Sequence, residues 1–71
     1  MRNSAIQKKI AVKVRGLLAR KKLTAEGLCT EIEYSLPNFY NFLNGKRGLS
    51  LETLDRVAKG LGVSLKDLMP D

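Results

Sequence analysis

The sequence predicts an all-α domain of five short helices. Three observations carry that reading. Apolar residues recur three and four apart in successive segments of the 71-residue chain, the period of a helix with one buried face. No segment shows the apolar–polar alternation of a half-buried strand. Ser, Thr, Gly and Pro stand at the segment ends, where they start or stop helices and leave room for short connections only. The length fits one small domain with a modest core.

The first helix is read from Ala5, behind a flexible arm over residues 1–4, with Ser4 as its candidate N-cap. Ile6, Ile10, Val14, Leu17 and Leu18 form one stripe, with lysines and arginines opposite. Arg20, Lys21 and Lys22 suit a helix C-terminus, where cations meet the negative end of the dipole. Thr24 is the expected N-cap of a second helix over about 25–32, with Glu26 at its positive end and Leu28 and Ile32 facing inward. Gly27 weakens that helix by about 1 kcal/mol relative to alanine, and its structural explanation would be close approach to another helix.

A break at Glu33, Tyr34 and Ser35 leads to a third helix ending near Leu43, capped by Ser35 with Pro37 in its first turn. Phe39, Phe42 and Leu43 are spaced to face the core, as expected of an aromatic pair on a helical stripe rather than of base-stacking residues. Leu36, Pro37, Asn38, Tyr40, Asn41 and Asn44 are left for the outside. Gly45 stops this helix. Ser50 caps a fourth helix, about 51–59, with a stripe of Leu51, Leu54, Val57, Ala58 and Leu61, and Gly60 and Gly62 are read as its end. Ser64 and Asp67 form a capping box for a short fifth helix over about 65–69, which Pro70 stops. Residues 5–71 thus form a single domain.

The net charge is +6, unevenly spread. Residues 1–22 hold eight bases and no acid, whereas residues 23–45 hold Glu26, Glu31 and Glu33 and no base. Such an excess favours a polyanion partner through phosphate neutralisation and counterion release. Charge alone equally describes a solubilising surface. A single cysteine forms no internal disulfide, and histidine is absent. Cys29 is read as a small buried hydrophobe. Glu31 and Glu33 are two apart and do not converge. No Ser/His, Cys/His or metal-ligand constellation exists, so the reading is no enzyme, no cofactor and no small-molecule ligand. The lysine-interrupted start is unlike a signal peptide and no run is long enough to span a bilayer, so a cytoplasmic protein without membrane contact is expected.

Leu23-Thr24, Leu28-Cys29, Ser35, Phe39, Phe42 and Gly45-Lys46-Arg47, followed by Ser50–Leu54 and Ala58–Ser64, closely resemble the XRE/Cro/lambda-repressor family of helix-turn-helix regulators. The resemblance covers about residues 10–69. It implies a compact five-helix lambda-repressor-like DNA-binding domain that regulates transcription, a repressor before an activator, by placing the third helix in the major groove of double-stranded DNA. It implies base contacts from Leu36, Pro37, Asn38 and Asn41, with Tyr40 at the margin; asparagine pairs bidentately with adenine, and apolar groups meet a thymine methyl. It implies phosphate contacts from Thr24, Ser35, Asn44, Lys46 and Arg47.

Three departures stand out against the family's pattern. A common glutamine is Ala25, the turn glycine is Glu33, and the third helix carries no Arg or Lys. A left-handed Glu33 would cost about 1 kcal/mol or more. Without a basic reader, A·T-leaning or shape-based recognition is expected rather than guanine readout. One reading helix covers about half a turn of groove, so a homodimer is expected, with Leu61, Leu65, Leu68 and Met69 as its candidate interface; closing the small core is the alternative use of these four residues. A protein-interaction module on the same fold, an antitoxin or anti-repressor partner, is the alternative reading, and RNA or membrane-surface binding through the first helix is a third.

Overall fold

The structure is a computed structural model that describes residues 3–70, with side chains from residue 5 onward. It contains α1 (Asn3–Lys21), α2 (Ala25–Ile32), α3 (Leu36–Leu43) and α4 (Leu51–Leu61), followed by one 3-10 turn, Leu65–Leu68. Among the described residues there is no strand, and no helix is long and apolar enough to cross a membrane. The expected all-α, lambda-repressor-like architecture holds. The fifth helix is reduced to the 3-10 turn, closed by the Asp67 amide donating to Ser64 O at 3.0 Å, three residues back. The Asp67 carboxylate accepts from the Ser64 amide at 3.0 Å and its hydroxyl at 3.1 Å. These bonds hold the Asp67 carboxyl below its ordinary pKa, the backbone bond acting most strongly.

The stripes meet in one core. α1 packs against α3 and the 3-10 turn, and α2 against α3 and α4. Ile10, Val14 and Leu18 of α1, Leu28, Cys29 and Ile32 of α2, Phe39 and Phe42 of α3, and Leu54, Val57 and Leu61 of α4 are all buried, with Leu49 and Leu68 closing the ends. The Phe39 and Phe42 rings lie 5.8 Å apart at a 38° tilt, within the range where aromatic pairs attract. Both are fully buried, as their spacing predicts. Burial also raises the pKa of the Cys29 thiol, which leaves it protonated and unreactive.

Several expectations need correction. Asn3 and Ser4 already have helical backbone, so Ser4 does not cap α1; of the expected arm, residues 1 and 2 lie outside the described residues. Ile6 and Leu51 belong to their stripes by spacing but are 49% and 65% exposed, because each lies in a first turn that overhangs the core. α4 does not stop at Lys59 but runs through Gly60 to Leu61, and Gly62 alone is the left-handed cap. Close helix approach occurs at Gly60, not at Gly27. A Cβ on Gly60 would sit 2.6 Å from Leu28 Cδ1 and 2.9 Å from Ile32 Cγ2, whereas one on Gly27 would meet only its own cap, Thr24 Oγ1, at 3.1 Å.

All four α-helices end in the same paired bonds. One amide, two residues past the helix at α1, α2 and α4 and three past it at α3, reaches back five positions, and the amide before it closes the tighter bond. At α2 these are Tyr34 N to Cys29 O at 3.0 Å and Glu33 N to Thr30 O at 3.4 Å; at α3, Lys46 N to Asn41 O at 2.8 Å and Gly45 N to Phe42 O at 3.0 Å. The motif needs one residue with positive φ. Gly45 and Gly62 supply it freely, while Lys22 and Glu33 adopt it with side chains attached, each at φ 58°. The expected cost at Glu33 is therefore present, and the turn keeps its left-handed form.

Candidate nucleic-acid interface

Two helix N-termini, one exposed helix face and one basic loop make up the candidate interface. Thr24 caps α2, its hydroxyl accepting from the Gly27 amide at 3.0 Å. Ser35 caps α3, accepting from the Asn38 amide at 3.3 Å. Both caps are exposed, so both hydroxyl protons remain available to an anion. The partial positive charge of each helix start adds to that preference.

α3 is amphipathic in the sense its spacing predicts. Phe39 and Phe42 point inward, while Pro37, Tyr40 and Asn41 are exposed. Asn38 is half-buried, and Leu36 is half-buried and packs against the core. Of the expected base-contacting residues, Pro37, Tyr40 and Asn41 thus share open surface. Leu36 is partly spent on packing, which leaves only its outer edge for a methyl contact.

The loop after α3 presents Asn44, Lys46 and Arg47 to solvent. Sequence spacing shows nothing of how this loop is held. The Gln7 side chain clamps it, donating from Nε2 to Leu49 O at 3.2 Å and accepting the Leu49 amide on Oε1 at 3.0 Å. Arg15 donates to Leu43 O and to Asn44 Oδ1, both at 3.4 Å, so its guanidinium sits at the negative end of α3. The Lys8 stem covers Gly45: a Cβ there would lie 3.3 Å from Lys8 Cε and Cγ. Lys8 is itself exposed, so α1 adds a cation beside Lys46 and Arg47. The only sequence signal for these residues was the acid-free basic run of the first helix.

A fourth long-range contact holds the turn between α2 and α3. The Arg56 guanidinium of α4 donates to Ile32 O and, at 3.5 Å, to Glu33 O. Leu61 and Leu68, expected at a dimer interface, are instead 2% and 0% exposed within this chain's own core. Leu65 and Met69 remain half-exposed. Among the described residues no group of His, Cys, Asp or Glu is arranged to hold a metal.

Residues 13–70 match the family model of the Cro/C1-type helix-turn-helix DNA-binding domain. Control protein C.MunI from a Mycoplasma species is 33% identical over 49 residues, which span 69% of this chain and 66% of that protein. An HTH_3 family transcriptional regulator from Vibrio cholerae superposes with a TM-score of 0.85 at 18% identity, over 92% of this chain and 36% of that one. The transcription factor NHTF from Neisseria, described as hypothetical, gives a TM-score of 0.85 at 17% identity, over 92% of this chain and 75% of its own. At these identities the two structures speak for the fold.

Proposed function

We propose, from the premise that this chain belongs to the Cro/C1-type helix-turn-helix DNA-binding domains, that it regulates transcription, as a repressor, by laying α3 in the major groove. The observation that carries this reading is the exposed face of Pro37, Tyr40 and Asn41, set between two open helix N-caps and a loop bearing Lys46 and Arg47. Asn41, with Asn38 beside it, would pair with adenine, and Pro37, Leu36 and Tyr40 would meet thymine methyls or sugars. Thr24, Ser35, Asn44, Lys46 and Arg47 would take the phosphates, with Lys8 beside them. The relative described as a control protein supports a regulatory role.

The body measures 30 × 25 × 21 Å, less than the roughly 34–36 Å of one helical turn of DNA. A single copy presents one α3, so two copies related by a two-fold axis would read a pseudo-palindromic site. Their contact would use the half-exposed Leu65 and Met69, since Leu61 and Leu68 are not available to it.

The test is a fluorescence titration against random duplex DNA and a pool of genomic fragments at several salt concentrations. The expected result is binding that weakens steeply with salt, with a subset of fragments retained at the highest salt. Asn41→Ala should lose those fragments while staying folded, and Lys46→Ala should weaken all duplexes and lower the salt slope by about one. Absence of binding at low salt would end this reading. It would favour the second one, a protein-interaction module, for which the uncharged α3 surface is the supporting observation.

A further inference from the structure

We propose that Arg56, far from the DNA-facing residues in sequence and on a different helix, is a positioning residue that sets the aim of α3 by holding the α2–α3 turn in its left-handed form. The proposal rests on the reading of α3 as the groove-reading helix. Only Glu33, Tyr34 and Ser35 separate the two helices, so the direction of α3 follows from three residues. Glu33 adopts φ 58° and ψ 51° with a full side chain, a conformation that L-residues leave readily. Its own closing bond, to Thr30 O, is the longest of the four helix ends at 3.4 Å. Apart from the bond of Tyr34 N to Cys29 O at 3.0 Å, backbone preference and local hydrogen bonding therefore hold Glu33 weakly.

Arg56 supplies what they lack. Its guanidinium donates to two successive carbonyls, Ile32 O and Glu33 O. Both bonds come from the same nitrogen, Nη2, which bridges the two carbonyls on either side of the Glu33 Cα and so ties the left-handed residue to the end of α2. The charge also sits at the negative end of the α2 dipole. Gly60, one turn further along α4, lets that helix close on Leu28 and Ile32, which brings Arg56 within reach. Among the described residues Arg56 forms no ion pair with a carboxylate; that contact belongs to Lys59 and Asp55. A turn relaxed to negative φ would re-aim α3 and lose base contacts while leaving exposed phosphate contacts in place.

The test starts with duplexes enriched from a randomised pool by the wild-type protein. Affinity for an enriched and a random duplex is then measured for Arg56→Met, Arg56→Lys and the double variant Glu33→Gly with Arg56→Met, all below their melting transitions. Amide exchange is followed at Glu33 and Tyr34, with Gly45 and Lys46 as internal controls. Arg56→Met should lose about tenfold on the enriched duplex and less than about twofold on the random one. Exchange at Tyr34 should rise by about tenfold, with Lys46 unchanged. Arg56→Lys, which keeps the charge but not the planar guanidinium, should fall between, and Glu33→Gly in the Arg56→Met background should restore most of the lost affinity, since glycine holds positive φ unaided. Equal loss on both duplexes would make Arg56 a phosphate contact and overturn the proposal, as would failure of glycine to restore binding. If wild type enriches no duplex, the reading of α3 fails, and unchanged Tyr34 exchange in either Arg56 variant overturns the turn clamp by itself.

Discussion

At the end of α2 the left-handed residue is Glu33, and at the end of α3 it is Gly45. Both ends use the same paired backbone bonds, and both receive a guanidinium from another helix: Arg56 at α2, Arg15 at α3. They differ in what makes the turn stay. Gly45 needs no help with φ, and its bonds are short, at 2.8 and 3.0 Å. Glu33 carries a backbone cost of about 1 kcal/mol and a long closing bond, and the arginine there contacts the turn's own carbonyls. One end is stable by residue type, the other through tertiary contact. The tertiary one lies between the two helices that must keep a fixed angle.

The largest test of this contrast is Gly60→Ala. The added methyl would overlap buried Leu28 and Ile32, and the clashing Cγ2 methyl of Ile32 is held by its branched Cβ, which restricts χ1 and keeps it from swinging away. We expect a loss of about 1–3 kcal/mol in urea unfolding, with Tyr34 exchange rising as α4 is pushed from α2. A small change would mean that α4 is not seated as closely as described. Next is Gly45→Ala, which forces an alanine into positive φ against the Lys8 stem and should cost about 1–2 kcal/mol. The reciprocal change, Glu33→Gly, should raise stability, but by less than about 1 kcal/mol, because glycine also loosens the unfolded chain. If Glu33→Gly destabilised the protein, the left-handed cost at that end would be disproved. The smallest effect is expected at Asp67, whose carboxyl is held below its ordinary pKa by Ser64. The unfolded chain binds that proton more readily, so the contribution is complete above the ordinary carboxylate pKa of about 3.9 and is lost as pH falls through the lowered one. Asp67→Asn should therefore cause a small loss of stability at neutral pH that disappears at acid pH, flattening the acid limb of the stability curve.

The pattern of what could be read beforehand follows the range of each interaction. Caps at Thr24, Ser35 and Ser50 depend on residues three apart and were legible. So was the burial of Phe39, Phe42, Leu54 and Val57, which depends on helical spacing. The left-handed Glu33 was legible only through the family's turn glycine. Periodicity misplaced Ile6 and Leu51, because it reports which face a residue occupies and not whether another element reaches that far along the helix. It could not tell Gly27 from Gly60, since close approach is a property of two helices. Arg56, Arg15 and Gln7 act across 24, 28 and 42 residues respectively, and nothing local marks their partners. Which members of the C-terminal patch stay open was hidden for a similar reason: in a chain of this size Leu61 and Leu68 are needed to close the core.

The clamp of Gln7 on Leu49 also bears on the order in which the molecule assembles. Its two bonds join positions 42 residues apart, so the first turns of α1 have nothing to dock on until the segment after α3 has been made. During synthesis α1 leaves the ribosome first, yet this end of it is seated late, after α2 and α3 have formed from their nearby contacts. Conversion of the Gln7 amide to a carboxylate would remove the donor to Leu49 O and set two oxygens against each other. Chemical ageing at that one side chain should therefore slow the last step of folding before it alters the helices themselves.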